Sequence, residues 1–342
     1  MASRIRVVHV NDVAFVGSTL VRSLARVDVD ARLIEPARPG RTIRYQWKVV
    51  TLPIRVAGLI AAGLQVRWGG DDLAHVHYAR LGIVGPVGGK PFVLHCHGSD
   101  IRGVVPGSGW GRIVGPYFRR ARLVYYSTPD LEPWVRAFRP DAVFLPNPIE
   151  SVDRAGEPAA AGTVDAAAGP TVDVLVGVRL DPVKGVDAIV AIVEELVRRR
   201  PATTLSILDQ GSLVEPVRIV SGSAGRMVPL VSHAAMAGLF RGHRIAIGQQ
   251  RVGTLGNYEL EAMGAGTPVA ATFRYPAAYD SPPPVIDAGS PAQVAERIAG
   301  LLDDEAARRD LATAGRDWIL GHHAAATVAA RVAADYRRLL DR

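Results

Sequence analysis

The chain holds a single cysteine, Cys96, in 342 residues. An internal disulfide is therefore excluded, and with it the disulfide-stapled scaffold of many small secreted domains. Aromatic residues supply only 6% of the sequence, so the 48% apolar share is carried mainly by aliphatic side chains. No long hydrophobic run is present: the best candidate, Val49 to Val66, is broken by Pro53 and Arg55. It also falls short of the roughly 20 apolar residues that a spanning helix needs. The opening "MASRIRVVHV" lacks the charged-then-apolar pattern of a secretory leader, so a cytoplasmic location is expected. A peripheral membrane contact stays open through the basic, apolar stretch from Arg41 to Arg67.

Lysine is nearly missing. Of 40 basic residues only Lys48, Lys90 and Lys184 are lysines, so a compact ammonium at any of these positions stands out against the arginine background. The net charge of +7 favours anionic ligands or an anionic surface. No basic block is interleaved with aromatics, which argues against nucleic acid as a partner.

A length of 342 residues predicts two domains. Short apolar runs alternate with amphipathic stretches, the pattern of βαβ units and parallel sheets. In the first half the predicted strands are Ile5–Val10, Ala31–Ile34, Leu73–His77, Phe92–His97, Leu123–Tyr126 and Ala142–Leu145, with a helix over Ser18–Val27 that Ser18 would cap. Glu150 to Pro170 has no periodicity and is rich in Ala, Gly and Pro, as a linker is. The alternation then restarts with strand Val172–Val176, helix Val186–Arg199 and strands Thr204–Leu208, Arg244–Ile247 and Pro268–Ala271. Three alanine-rich amphipathic helices follow, over Ala292–Leu302, Glu305–Leu320 and Ala324–Asp341. The expected division is an N-terminal domain over 1–155, a linker over 156–170 and a C-terminal domain over 171–321. Two such α/β halves predict a ligand cleft at the C-terminal edges of the sheets.

The most informative segment is Ile247 to Ala271, "IGQQRVGTLGNYELEAMGAGTPVAA". Two glycine-rich loops flank a short helix, whose first N–H groups suit a polar ligand, and Glu259 and Glu261 lie within it. Upstream, "VGVRLDPVKGV" places Arg179 and Lys184 five apart, just before a helix start at Gly185, as a diphosphate clamp requires. The solvated-turn alternative is two exposed charges. In "VLHCHGSDIRG" a strand would carry His95 and His97 on one face with Cys96 alternating to the other, and no third Cys or His ligand lies nearby to join them, so zinc is not expected there. His97 at the strand end suits donation to a substrate hydroxyl, and a purely structural role fits equally. His75 and His77 repeat the spacing and read as core residues. Asn11 to Leu20, with Gly17 and Ser18, is a strand-to-helix turn without the G-x-G-x-x-G spacing. Gln210 and Gly211 in "LDQGS" follow another strand and would line the same edge, or form a plain turn. No G-x-S-x-G, H-E-x-x-H or P-loop pattern is present.

Taken in order, "HGSDIR", "STPDL", "LPNPI", the Arg179/Lys184 pair, "LEAMGAGTPVA" and "PPPVIDA" make the chain resemble the glycosyltransferases of the two-domain GT-B fold, closest to the family-4 retaining group. The resemblance implies two Rossmann-like domains, with the final helix, about 322–342, crossing back onto the first. It implies a nucleotide-sugar donor, a hydroxyl-bearing acceptor, and neither metal nor other cofactor. Arg179 and Lys184 would hold the diphosphate, Glu261 the ribose hydroxyls, and His97 the donor sugar. Substrate contacts would come from Gly17, Ser18, Asp100, Arg102, Asn147, Gln210, Gly211, Gln249, Gly253, Gly256 and Glu259. One departure stands out: the family commonly carries a second glutamate eight positions before Glu261, where this chain has Gly253. Hexose contacts would then fall to Gln249 and backbone amides. One other reading follows from that gap, a catalytically silent nucleotide-sugar-binding partner; a GT-B-like sugar-nucleotide epimerase is a further alternative, which would need an extra carboxylate acid/base pair.

Overall fold

A computed structural model of the protein describes residues 4–37, 51–150 and 171–341. The expected linker at 156–170, together with Lys48, lies outside them. The chain forms two compact units, Met1–Pro148 with Ala325–Arg342, and Ile149–Ala324.

The first unit is built on a parallel sheet of six strands: β1 (Ile5–Val10), β2 (Val29–Ile34), β3 (Leu73–His77), β4 (Phe92–Cys96), β5 (Leu123–Tyr126) and β6 (Val143–Phe144). They lie in the order β2-β1-β3-β4-β5-β6. Its helices are α1 (Val16–Leu24), α2 (Leu52–Trp68), α3 (Val84–Gly88), α4 (Gly109–Arg120) and α5 (Glu132–Arg136). Because side chains alternate along a strand, each strand serves two cores. Val8, Val10, Val76, Leu94, Cys96 and Tyr126 pack with α2, α3 and α4, whereas Val7, Leu73, Val93 and Tyr125 face α1 and the last helix.

The second unit has five parallel strands: β7 (Val172–Val176), β8 (Leu205–Leu208), β9 (Gly225–Val228), β10 (His243–Ile247) and β11 (Val269–Ala270). Their order is β11-β10-β7-β8-β9. Helices α6 (Val186–Arg199), α7 (Val214–Ser221) and α10 (Pro291–Asp303) cover one face, and α8 (His233–Arg241), α9 (Asn257–Gly264) and α11 (Glu305–His322) the other. The last helix, α12 (Ala325–Leu340), belongs to the first unit, where Val328, Val332 and Tyr336 are buried against Val7, Leu20 and Tyr125. Both units are Rossmann-like. No helix among the described residues is long and apolar enough to cross a membrane.

Several boundaries differ from the sequence reading. Helix α1 starts at Val16, and Ser18 does not cap it: the Asp12 carboxylate accepts from the amides of Gly17 (3.0 Å) and Ser18 (3.2 Å). Ala14 and Phe15 turn through positive φ to reach this start, a conformation that no sequence pattern announces. Helices α7 and α8 and strand β9 were not anticipated, because β9 is an edge strand without a buried apolar run.

Candidate functional site

In each unit the residues singled out by sequence stand at the C-terminal ends of the strands, where open α/β sheets bind ligands. In the second unit, the turn after β7 brings Arg179, Asp181 and Lys184 forward. Arg179 pairs with Asp181. Asp181 also accepts from the amide (3.0 Å) and hydroxyl (2.9 Å) of Ser212, just after Gln210 and Gly211. These bonds, that to the Ser212 amide foremost, pull the Asp181 pKa down. The Leu180 amide donates to the Gln210 carbonyl at 2.8 Å, so the turns after β7 and β8 are laced together. Gly211 is required there: it has φ +121°, and a Cβ would sit 2.4 Å from the Leu180 carbonyl oxygen.

Lys184 is half-buried against the loop that follows β10. Its carbonyl accepts from the Gln250 amide at 2.8 Å, and its Nζ lies 3.9 Å from where a Gly256 Cβ would stand. Among the described residues, no carboxylate forms an ion pair with it. The ammonium is thus held beside a glycine loop and the start of α9, with no carboxylate of the described residues at ion-pair distance.

The loop itself is organised by two side chains that sequence reading had assigned to substrate. Gln249 is fully buried. Its Oε1 accepts from the amides of Arg251, Val252 and Gly253, and its Nε2 donates to the carbonyls of Thr254 and Thr272. Every hydrogen-bonding position of the amide is therefore occupied, and the hexose contact expected of Gln249 is replaced by a scaffolding role. Glu259, also fully buried, accepts from the Gln249 amide on Oε1 and the Gly256 amide on Oε2, each at 2.8 Å. That is a capping arrangement, so Glu259 shapes the loop rather than facing a ligand. Gly253, at φ +77°, lies under Arg274.

Glu261, two residues further on, keeps a partly exposed carboxylate whose Oε1 is 2.9 Å from His233 Nε2 on α8. This partner was missed, since 28 residues separate the pair. Also missed was Tyr258, whose hydroxyl accepts from the Gly177 amide at 3.1 Å and whose ring passes so close that a Gly177 Cβ would meet it at 2.6 Å.

In the first unit, the turn after β4 carries His97, Asp100 and Arg102. Asp100 is buried, and it accepts from the amides of Ala79 (2.6 Å), Gly98 (2.8 Å) and His97 (3.0 Å). Burial raises its pKa, and those amides oppose the rise. Arg102 reaches Asp130 through Nε (2.8 Å) and Nη2 (2.5 Å). Both therefore hold the turn in place instead of projecting from it. Gly17 and Ser18 spend their amides on Asp12 as described, and Asn147 is buried just beyond β6. His97 is half-buried, and burial pushes its pKa down to about 3, so the ring is neutral. It does not stand as one of a pair with His95. His77 Nδ1 is 3.0 Å from His97 Nε2, and His9 and His75 continue the cluster. The absence of a third nearby histidine, inferred from spacing, is thus corrected: parallel pairing of β1, β3 and β4 supplies it from strands distant in sequence.

A family model described as glycosyl transferase-like matches residues 199–334. No curated protein matches the sequence. Among solved structures, sucrose-phosphate synthase from Thermosynechococcus elongatus superposes with a TM-score of 0.70 at 17% identity, covering 99% of this chain and 100% of the other. The Anabaena protein HepE in complex with UDP-glucose gives 0.68 at 13% identity, over 98% and 100% of the two chains. A putative UDP-N-acetylglucosamine 2-epimerase from Listeria monocytogenes gives 0.67 at 13% identity, over 98% and 96%. The fold is that of the GT-B glycosyltransferases along the whole chain. Together with the match over residues 199–334, this supports glycosyl transfer as the class of activity.

Proposed function

We propose that this protein transfers a hexose from a nucleoside-diphosphate sugar to a hydroxyl group of a sugar, natural product or lipid-linked acceptor, with retention of configuration. The observation that carries the reading is the ammonium of Lys184, fixed against the glycine loop 249–256 with no ion-pair partner among the described residues. A cation held there stabilises the charge that develops on a departing nucleoside diphosphate. Arg179 adds a second cation, so this step draws on no metal ion. Glu261 takes the ribose hydroxyls with the carboxylate that His233 orients. His97 of the first unit, neutral and half-buried, donates to a sugar hydroxyl. The bound UDP-glucose of HepE is the precedent for a donor of this kind on this fold.

A thermal-shift and nucleotide-release screen across UDP-, GDP- and dTDP-sugars tests the proposal. Stabilisation by one donor, with nucleotide released only when an acceptor is added, is the expected result. Stabilisation without turnover on any acceptor would favour the silent-partner reading. Release of nucleotide without acceptor would favour epimerase-type chemistry, the activity for which the Listeria monocytogenes neighbour is named.

Two substitutions separate the roles. Glu261→Gln should weaken nucleoside diphosphate binding by about 10-fold or more, the scale of one hydrogen bond to a charged group; unchanged affinity by calorimetry removes the ribose assignment. His97→Ala should abolish most turnover while leaving nucleotide affinity in place. A loss of nucleotide affinity would contradict the sugar-side role.

A further inference from the structure

Five of the nine histidines in the chain meet on one face of the first sheet: His9 from β1, His75 and His77 from β3, and His95 and His97 at the end of β4. The strand register places His9 beside His75 and His77 beside His95. All but His97 are buried, and α12 closes the layer with Tyr336. Burial, more than mutual repulsion, drives their pKa values far down, so every ring keeps an unprotonated nitrogen at neutral pH.

Proton bookkeeping across this layer leaves one atom over. A neutral imidazole offers one N–H and one lone pair. The Tyr336 hydroxyl touches His75 Nδ1 (2.5 Å) and His9 Nε2 (3.2 Å), so it donates to one and accepts from the other. From His9 the chain runs through Nδ1 to His77 Nε2 (3.0 Å), and from His77 Nδ1 to His97 Nε2 (3.0 Å). From His75 it runs through Nε2 to His95 Nδ1 (3.2 Å). Either direction of the hydroxyl satisfies each of these contacts. In both, His95 Nε2 is buried with no hydrogen-bond partner. Such a buried, unpartnered atom destabilises the fold unless something binds it.

We infer that His77, His95 and His97 form a binding site for a divalent first-row metal ion, of which Zn²⁺ is the type. One nitrogen from each of the three lies within 4.8 Å of the others. Two of them are 3.0 Å apart, close to the roughly 3.3 Å spacing of tetrahedral imidazole ligands at Zn–N of about 2.0–2.1 Å. The metal takes His77 Nδ1, His97 Nε2 and the otherwise orphaned His95 Nε2. The outer nitrogens then become N–H groups that already have acceptors: His77 Nε2 faces His9, and His95 Nδ1 faces His75. His9 and His75 then both donate to the Tyr336 oxygen, which accepts from each and gives up its own donation to either ring, an outer shell of the kind that fixes ligand tautomers in histidine–metal sites. The half-buried His97 marks the way in, and three protein ligands leave a fourth position open. A bound ion also holds His97 in the tautomer whose free nitrogen, Nδ1, is a donor. The site does not depend on the transferase reading, because its test reads binding alone.

The test is titration of ZnCl₂, and of CoCl₂ read by its visible absorption, into chelator-stripped full-length protein. One ion per chain is expected, with tetrahedral Co²⁺ bands and a raised melting temperature. His77→Gln and His95→Gln should each weaken binding about 100-fold, and His9→Gln about 10-fold through the outer shell. His322→Gln, in the other unit, should leave the affinity unchanged. If the buried variants do not fold, His97→Gln at the half-buried edge should fold and still lose about 10- to 100-fold. Natively folded wild-type protein that takes up no ion, or His97→Gln with wild-type affinity, would overturn the assignment. So would binding that survives His95→Gln but not His9→Gln, since that places the ion at His9, His75 and His77 instead.

Discussion

Replacement of Lys184 by alanine is expected to lower kcat/KM by about 100- to 1,000-fold, the range seen when one preorganised charge-stabilising donor is deleted. The side chain is half-buried, but its burial is not what holds the turn together. The Lys184 carbonyl makes the bond to the Gln250 amide, and Gly185, at φ +74°, provides the bend against Arg251. Both are backbone features that alanine preserves. Thermal stability should therefore remain near that of the wild type while turnover collapses. Arg179→Ala should cost less, because Arg179 already shares its charge with Asp181. A Lys184→Ala enzyme with full activity and a lowered melting temperature would show that the ammonium is structural, and the proposed diphosphate role would fall with it.

Glu259→Ala has the opposite signature. Its carboxylate is fully buried and caps two amides, those of Gln249 and Gly256. Alanine strands both donors in the interior, at about 1–3 kcal/mol each, so unfolding in urea should show a loss of about 2–6 kcal/mol. Glu259→Gln keeps an acceptor for one amide and turns a donor towards the other, and should fall between the two. Nucleotide affinity should weaken alongside stability, since the same amides set the loop that Lys184 leans on. A stability change in Glu259→Ala below about 0.5 kcal/mol, the scale of an ordinary surface substitution, would mean that the loop is held by other contacts.

These two residues also mark how far sequence alone could go. The strands β1, β3, β5 and β7 and the helix α6 were legible to the residue, because continuous apolar runs and a 3.6-residue period are local signals. Residues at the strand ends were legible as a set, because the parallel fold places every such turn along one edge. Their division of labour was not. Glu259 and Glu261 stand two apart on a short helix, and only packing shows that one is consumed by backbone amides while the other meets His233. Gln249 is expected from sequence to contact the hexose, yet it is fully spent inside its own loop. The histidine layer was the least legible of all. Its spacing of two within β3 and β4 is visible, but the pairing register that merges the strands is a property of the sheet.

Helix α12 gives the chain an order of assembly. The face of the first sheet bearing Val7, Val93 and Tyr125 is covered by Val328, Val332 and Tyr336 from the far end of the sequence. The Tyr125 hydroxyl donates to Asp335, and that of Tyr336 reaches His9 and His75. On a ribosome, the first unit emerges early yet stays open on that side until α12 has cleared the exit tunnel. The second unit can close before then, since its chain is continuous between residues 149 and 324. The part made first is thus finished last, and during synthesis its apolar face is the surface most exposed to misassociation.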